Sequence, residues 1–140
     1  MYRFAAVVSL TLSFCFCGYA ETPPCSDSDA RRAAAETDTI RDWGALYKSY
    51  RLYHACDDGG IAEGYREATA RILVDHWNTL PRLAYHAKRD PNFWRFVLKH
   101  VDETLDVSDV EKIRANTKEK CPTGLRVLCD ELAKKADASL

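Results

Sequence analysis

The chain has 140 residues, six cysteines, a single methionine, 46% apolar residues and a formal net charge of −1. That length accommodates one domain and excludes a TIM barrel, a two-domain enzyme or a full dinucleotide-binding fold. The near-zero charge lacks the basic excess that marks a nucleic-acid or anionic-membrane protein.

The first twenty residues, MYRFAAVVSLTLSFCFCGYA, set Arg3 ahead of an apolar run from Phe4 to Phe16 and end in the small residues Gly18 and Ala20. This is the pattern of a secretory signal peptide, with cleavage expected after Ala20. The apolar run is shorter than the roughly 20 residues a spanning helix needs, so no membrane span is expected after cleavage. A lipoprotein signal through Cys15 or Cys17 is the rival reading, but Phe14 and Phe16 stand where a small residue is wanted. The expected location is the periplasm, with residues 21–140 as one mature domain whose charge, after the loss of Arg3, is −2.

Four cysteines remain in that domain: Cys25, Cys56, Cys121 and Cys129. An even number in an exported chain predicts two disulfides. If Cys121 and Cys129 shared one continuous helix they would lie about 12 Å apart along its axis, beyond the reach of a disulfide. The spacing therefore favours bridges from Cys25 and Cys56 to the C-terminal pair, unless Cys121 sits in a loop that folds back. Zinc at His54 and Cys56 would want a Cys-x-x-Cys or His-x3-His partner pair, and neither exists. No metal or cofactor is expected.

Residues 27–37, rich in Ala and Arg, read as a short helix or as the start of the next one. From Asp38 onward Ile40, Trp43, Tyr47, Tyr50 and His54 recur at steps of three and four, one face of a helix. The sequence Cys56-Asp57-Asp58-Gly59-Gly60 breaks that pattern, because paired glycines end helices and make turns. A second helix is predicted from about Ile61 to Asn78, with Tyr65, Ala68, Ile72 and His76 on one face and Leu73 and Trp77 widening it. Thr79 and Pro81 open a short third helix carrying Leu80, Leu83, Ala84 and Ala87. Asp90-Pro91 opens a fourth, with Asp as N-cap and Pro in the first turn. Phe93, Trp94, Phe96, Val97, Leu98, Val101 and Leu105 make it apolar around most of its girth, and it is the expected centre of the core. Ser108 with Glu111 fits a capping box and predicts a fifth helix to about Lys120. Cys121-Pro122 stops it, and Leu125, Leu128, Cys129 and Leu132 stripe a sixth, with a loose tail from Lys134. The predicted class is an all-α bundle of five to six helices stapled by two disulfides.

Candidate chemistry is sparse. Asp75-His76 could act as an acid–base pair in a small periplasmic hydrolase, although neighbours on a helix point about 100° apart. His54, His76, His86 and His100 otherwise read as half-buried structural histidines. No Gly-x-Ser-x-Gly elbow surrounds any serine, and a bridged cysteine cannot act as a nucleophile. Asp57 and Asp58 before two glycines could serve Ca²⁺, but the spacing of a calcium-binding helix–loop–helix is missing. The functional reading of this stretch is an exposed acidic knob of Asp57, Asp58 and Glu63, held rigid by a disulfide at Cys56 and suited to docking on a basic patch. Tyr50, Arg51 and Tyr53 join it as candidate binding residues, because Tyr and Arg dominate binding hot spots and one helical turn cannot bury them all.

The stretches Ile40-Arg41-Asp42-Trp43, Cys56 to Tyr65, Phe96 to Asp102 and Cys121-Pro122 resemble a family of small exported proteins of Gram-negative bacteria. That resemblance spans roughly residues 38 to 135 and implies a periplasmic helical protein without an assigned activity. In architecture the chain is also similar to the periplasmic immunity proteins that block cell-wall amidases delivered by type VI secretion. This implies a non-catalytic binding or inhibitor protein whose partner is another envelope or secreted protein, with a homodimer among the expected assemblies. A self-assembling envelope maintenance protein is the third alternative.

Overall fold

The computed structural model describes residues 24–140. The expected signal peptide, residues 1–20, lies outside the described residues. Seven α-helices follow one another: α1 (Asp27–Thr37), α2 (Trp43–Tyr53), α3 (Gly59–Asp75), α4 (Leu80–Arg89), α5 (Pro91–Lys99), α6 (Val107–Glu119) and α7 (Arg126–Ala138). Short 3-10 turns, His54–Cys56 and Trp77–Thr79, follow α2 and α3. No strand occurs among the described residues, so the all-α class holds, with one helix more than the upper expectation.

Four aspartates fix where helices begin. Asp42 accepts from the N–H groups of Gly44 and Ala45, Asp58 from Gly59, Asp90 from Asn92 and Phe93, and Asp106 from Ser108. Each carboxylate satisfies amides that would otherwise lack partners and sits at the positive end of a helix dipole. Periodicity places Ile40 on the helical face that begins at Asp38. It is buried, but it lies in the turn before the Asp42 cap. Ser108 is likewise displaced as a cap by Asp106, whose carboxylate accepts from the Ser108 amide at 2.8 Å.

α5, the helix expected from Asp90-Pro91, stops at Lys99, six residues before the expected Leu105. The His100 ring folds back onto the Phe96 carbonyl, and Asp102 holds a tight turn by accepting from the amide and hydroxyl of Thr104. The tail from Lys134 is not loose. It continues α7 to Ala138, with Leu132 and Ala136 fully buried beneath it.

α3, at 17 residues the longest helix, packs against α1, α2 and α6. α4 pairs with α5, and α6 forms a hairpin with α7. The core runs through Trp43, Tyr65, Leu73, Leu83, Phe93 and Ile113. α5 contributes Phe93, Phe96 and Val97 as expected, but α3 contributes as much through Tyr65, Ala68, Ile72 and Leu73.

The disulfides pair neighbours in sequence, Cys25 with Cys56 and Cys121 with Cys129. This corrects the expected bridges to the C-terminal pair. Cys121 lies ahead of α7, and the chain turns back at Gly124, where φ is +83°. The Cα atoms of Cys121 and Cys129 are thereby brought to 6.1 Å, within bonding range.

The oxidised mature protein, residues 21–140, should show no free thiol by intact mass after alkylation. Replacing both cysteines of a bridge by serine should cost roughly 3–4 kcal/mol for Cys25–Cys56 and roughly 2–3 for Cys121–Cys129, because unfolded-chain entropy grows with the closed loop. The loops span 31 and 8 residues. Urea unfolding checks the order, and equal losses would contradict it.

α1 crosses α3 at Gly64, where an added Cβ would stand 2.4 Å from the Thr37 hydroxyl oxygen and 2.6 Å from its Cβ. Thr37 is itself buried, so it has little room to yield. Helix propensity favours alanine over glycine by about 1 kcal/mol, yet overpacking costs typically 1–3. Gly64→Ala should therefore lower the urea midpoint without changing the slope, and Thr37→Ala in the same chain should recover much of the loss.

Candidate functional site

The stretch from Cys56 to Glu63 is held at three consecutive residues. Cys56 is buried and bridged to Cys25, which ties the end of α2 to the residues ahead of α1. Asp57 turns inward. One carboxylate oxygen lies 2.9 Å from Nε2 of His100 and the other 2.7 Å from Nζ of Lys99. Asp58 turns outward with extended backbone, φ −149° and ψ 159°, and caps α3. Gly59 then takes φ +51°, a conformation that glycine adopts without cost and other residues rarely do.

The inward pair is well buried: the Asp57 side chain is 7% exposed and that of His100 1%. The other ring nitrogen of His100 lies 2.8 Å from the Phe96 carbonyl oxygen. Phe96 and Tyr65 enclose the ring. Burial pushes the Tyr65 hydroxyl up to about 12, outweighing its bond with Ser49, so it stays neutral. Burial also raises the Asp57 carboxyl, but the bonds from His100 and Lys99 overcome it, and the net displacement is downward. Lys99 is 59% exposed, where solvent screens its charge. His100 therefore supplies most of the hold.

The expected acidic knob thus loses Asp57 to this clamp and keeps Asp58 and Glu63 as its exposed members. Of the aromatic candidates, Tyr50 and Tyr53 are buried and Arg51 is exposed. α2 is covered on two sides. Tyr50 packs on Phe93 and Phe96 of α5, while Tyr53 joins Ala33 of α1 and Cys56. One helical turn can bury both tyrosines because they face different neighbours. Asp75 and His76 are both exposed, and no hydrogen bond joins their side chains among the described residues. No group of three or more His, Cys, Asp or Glu among the described residues is placed to hold a metal.

Beside the turn, Glu63 begins a polar groove of about 570 Å³ between α3, residues 104–106 and the start of α6. Glu67, Asp75 and Asp106 supply further carboxylates to it. Its cations are largely engaged: Arg66 binds Asp102, Lys112 pairs with Asp109, and Arg71 donates to the Ile40 carbonyl. Sequence reasoning missed both the Asp57–His100 pair and this groove, since each depends on residues about forty positions apart meeting in space. None of the described helices is long and apolar enough to cross a membrane.

Because the Asp57 carboxyl is lowered in the folded chain, its stabilisation is complete above the unfolded value near pH 4 and is lost as pH falls through the folded value. Asp57→Asn should cost about 1.5–3 kcal/mol at neutral pH and flatten the acid limb of the stability curve. Urea titrations of the two proteins between neutral and acidic pH check this. Parallel curves would contradict it.

Compared with known proteins, the chain matches no family model, no curated protein and no solved structure.

Proposed function

We propose that this chain is an exported, non-catalytic binding protein of inhibitor or immunity type, acting in the periplasm on an envelope enzyme or secreted toxin. It docks through the turn from Asp58 to Glu63 and the carboxylate-lined groove that Glu63 begins. The observation that carries this reading is the anchoring of the turn by a disulfide, an inward carboxylate clamp and a helix cap at Cys56, Asp57 and Asp58. Association loses affinity for every loop it must immobilise, so a turn ordered in advance is favoured as a docking element. Carboxylates on that turn and along the groove complement a basic rim, and such complementarity sets partner choice and encounter rate. The two disulfides suit an oxidising compartment, as the signal-peptide pattern at the N-terminus requires.

The test begins with capture by the tagged, oxidised protein from periplasmic extract and from the secretions of competing bacteria, read by mass spectrometry. The expected catch is one stoichiometric cell-wall hydrolase or toxin whose digestion of purified cell walls the protein then slows. Glu63→Lys combined with Glu67→Lys should weaken that binding by about tenfold or more with an unchanged circular dichroism spectrum. Unaltered affinity sinks the assignment of the surface, and capture of no hydrolase or toxin sinks the inhibitor reading.

A further inference from the structure

A second surface is built from α4, α5 and the start of α7. Ala84 and Ala87 of α4, Trp94 of α5, and Leu125 and Leu128 border an apolar notch of about 490 Å³. Val127 stands at the same notch and is 74% exposed, the most exposed of the large apolar side chains among the described residues. Lys88 and Glu131 also border it. Glu131 accepts from the Trp94 indole N–H, and no ion pair joins it to Lys88 among the described residues.

One patch therefore carries a hole lined by small and flat side chains, an aliphatic plug, one cation and one anion. A two-fold contact requires a surface complementary to itself, since residue i meets residue j and j meets i. We propose that a second copy of this chain covers the notch, Val127 of each copy entering the Ala84–Ala87–Trp94 notch of the other and Lys88 of each facing Glu131 of the other. The charges favour a second copy over an unrelated apolar partner, because a two-fold axis turns one unpaired cation and one anion into two matched pairs. This surface shares no residue with the Asp58–Glu63 turn or its groove, so a dimer presents two docking turns and the inference does not depend on what those turns bind.

Sedimentation equilibrium of the purified oxidised protein, from low micromolar to near-millimolar concentration, tests it. The expected result is a reversible monomer–dimer equilibrium. Val127→Asp should weaken the dimer by about tenfold or more, because the carboxylate would be buried without a partner. Lys88→Glu should weaken it too, and Lys88→Glu with Glu131→Lys should recover part of the loss. Val127 is exposed, so its replacement leaves the fold intact, as circular dichroism checks. A monomer at every concentration, or a dimer indifferent to both Val127→Asp and Lys88→Glu, overturns the proposal.

Discussion

Burying the Asp57 carboxylate beside His100 sacrifices solvation that only a fixed, oppositely disposed partner returns. The surroundings of His100 meet that demand at every atom: Phe96 supplies a carbonyl to one ring nitrogen, Asp57 a carboxylate to the other, and Tyr65 and Phe96 close over the faces. The bond ties the turn after α2 to the end of α5 across 43 residues of chain. It also lies at the C-terminal cap of α5, where the His100 ring and the His100 amide both bond to the Phe96 carbonyl. The same contact anchors the chain immediately before the start of α3, where Asp58 caps that helix.

Asp57 and Asp58 show why adjacent identical side chains take opposite roles. Asp57 sits in a tight turn, with φ −74°, ψ 72° and the Asp58 amide donating to the Cys56 carbonyl, while Asp58 is extended, so the two side chains diverge. One carboxylate therefore enters the core while the other meets the Gly59 amide. Several other carboxylates are similarly occupied, with Asp42 and Asp90 capping helices outside the groove, Asp106 capping one at its edge, and Asp102 bonded to Arg66 and Thr104. A formal charge near zero conceals this arrangement. Along α3, Glu63, Glu67 and Asp75 remain outward-facing beside the groove.

What the sequence made legible follows from the range of the forces involved. Helices with local start signals were readable, α4 and α5 from Pro81 and Asp90-Pro91, whereas composition marked residues 27–37 as helical without separating them from the next helix. Boundaries set by a side chain from elsewhere were not, as at His100, where the apolar pattern continued through Leu105 but the ring was claimed by Asp57. The cysteine count gave two bridges, while their pairing depended on the turn at Gly124 that shortens the Cys121–Cys129 span. Tyr50 and Tyr53 mark another limit. Helical periodicity assumes one buried face, and α2 has two, against α5 and α1. For the candidate site, the Cys56–Glu63 stretch stood out in sequence for its composition, yet the clamp beneath it needed the tertiary structure.

The two disulfides divide the task of holding the molecule. Cys121–Cys129 closes the approach to α7, a local constraint on one end of the α6–α7 hairpin. Cys25–Cys56 joins the residues ahead of α1 to the turn itself, so α1 is drawn onto α3 where Gly64 admits Thr37 without a side chain between. Each device on that side converges on the first turns of α3: the bridge at Cys56, the buried carboxylate at Asp57, the cap at Asp58 and the close crossing at Gly64. Ordering one short turn with four separate constraints restricts the conformations it can lose on binding. The exposed residues placed there, Asp58 and Glu63, therefore present a surface whose shape is set before any partner arrives.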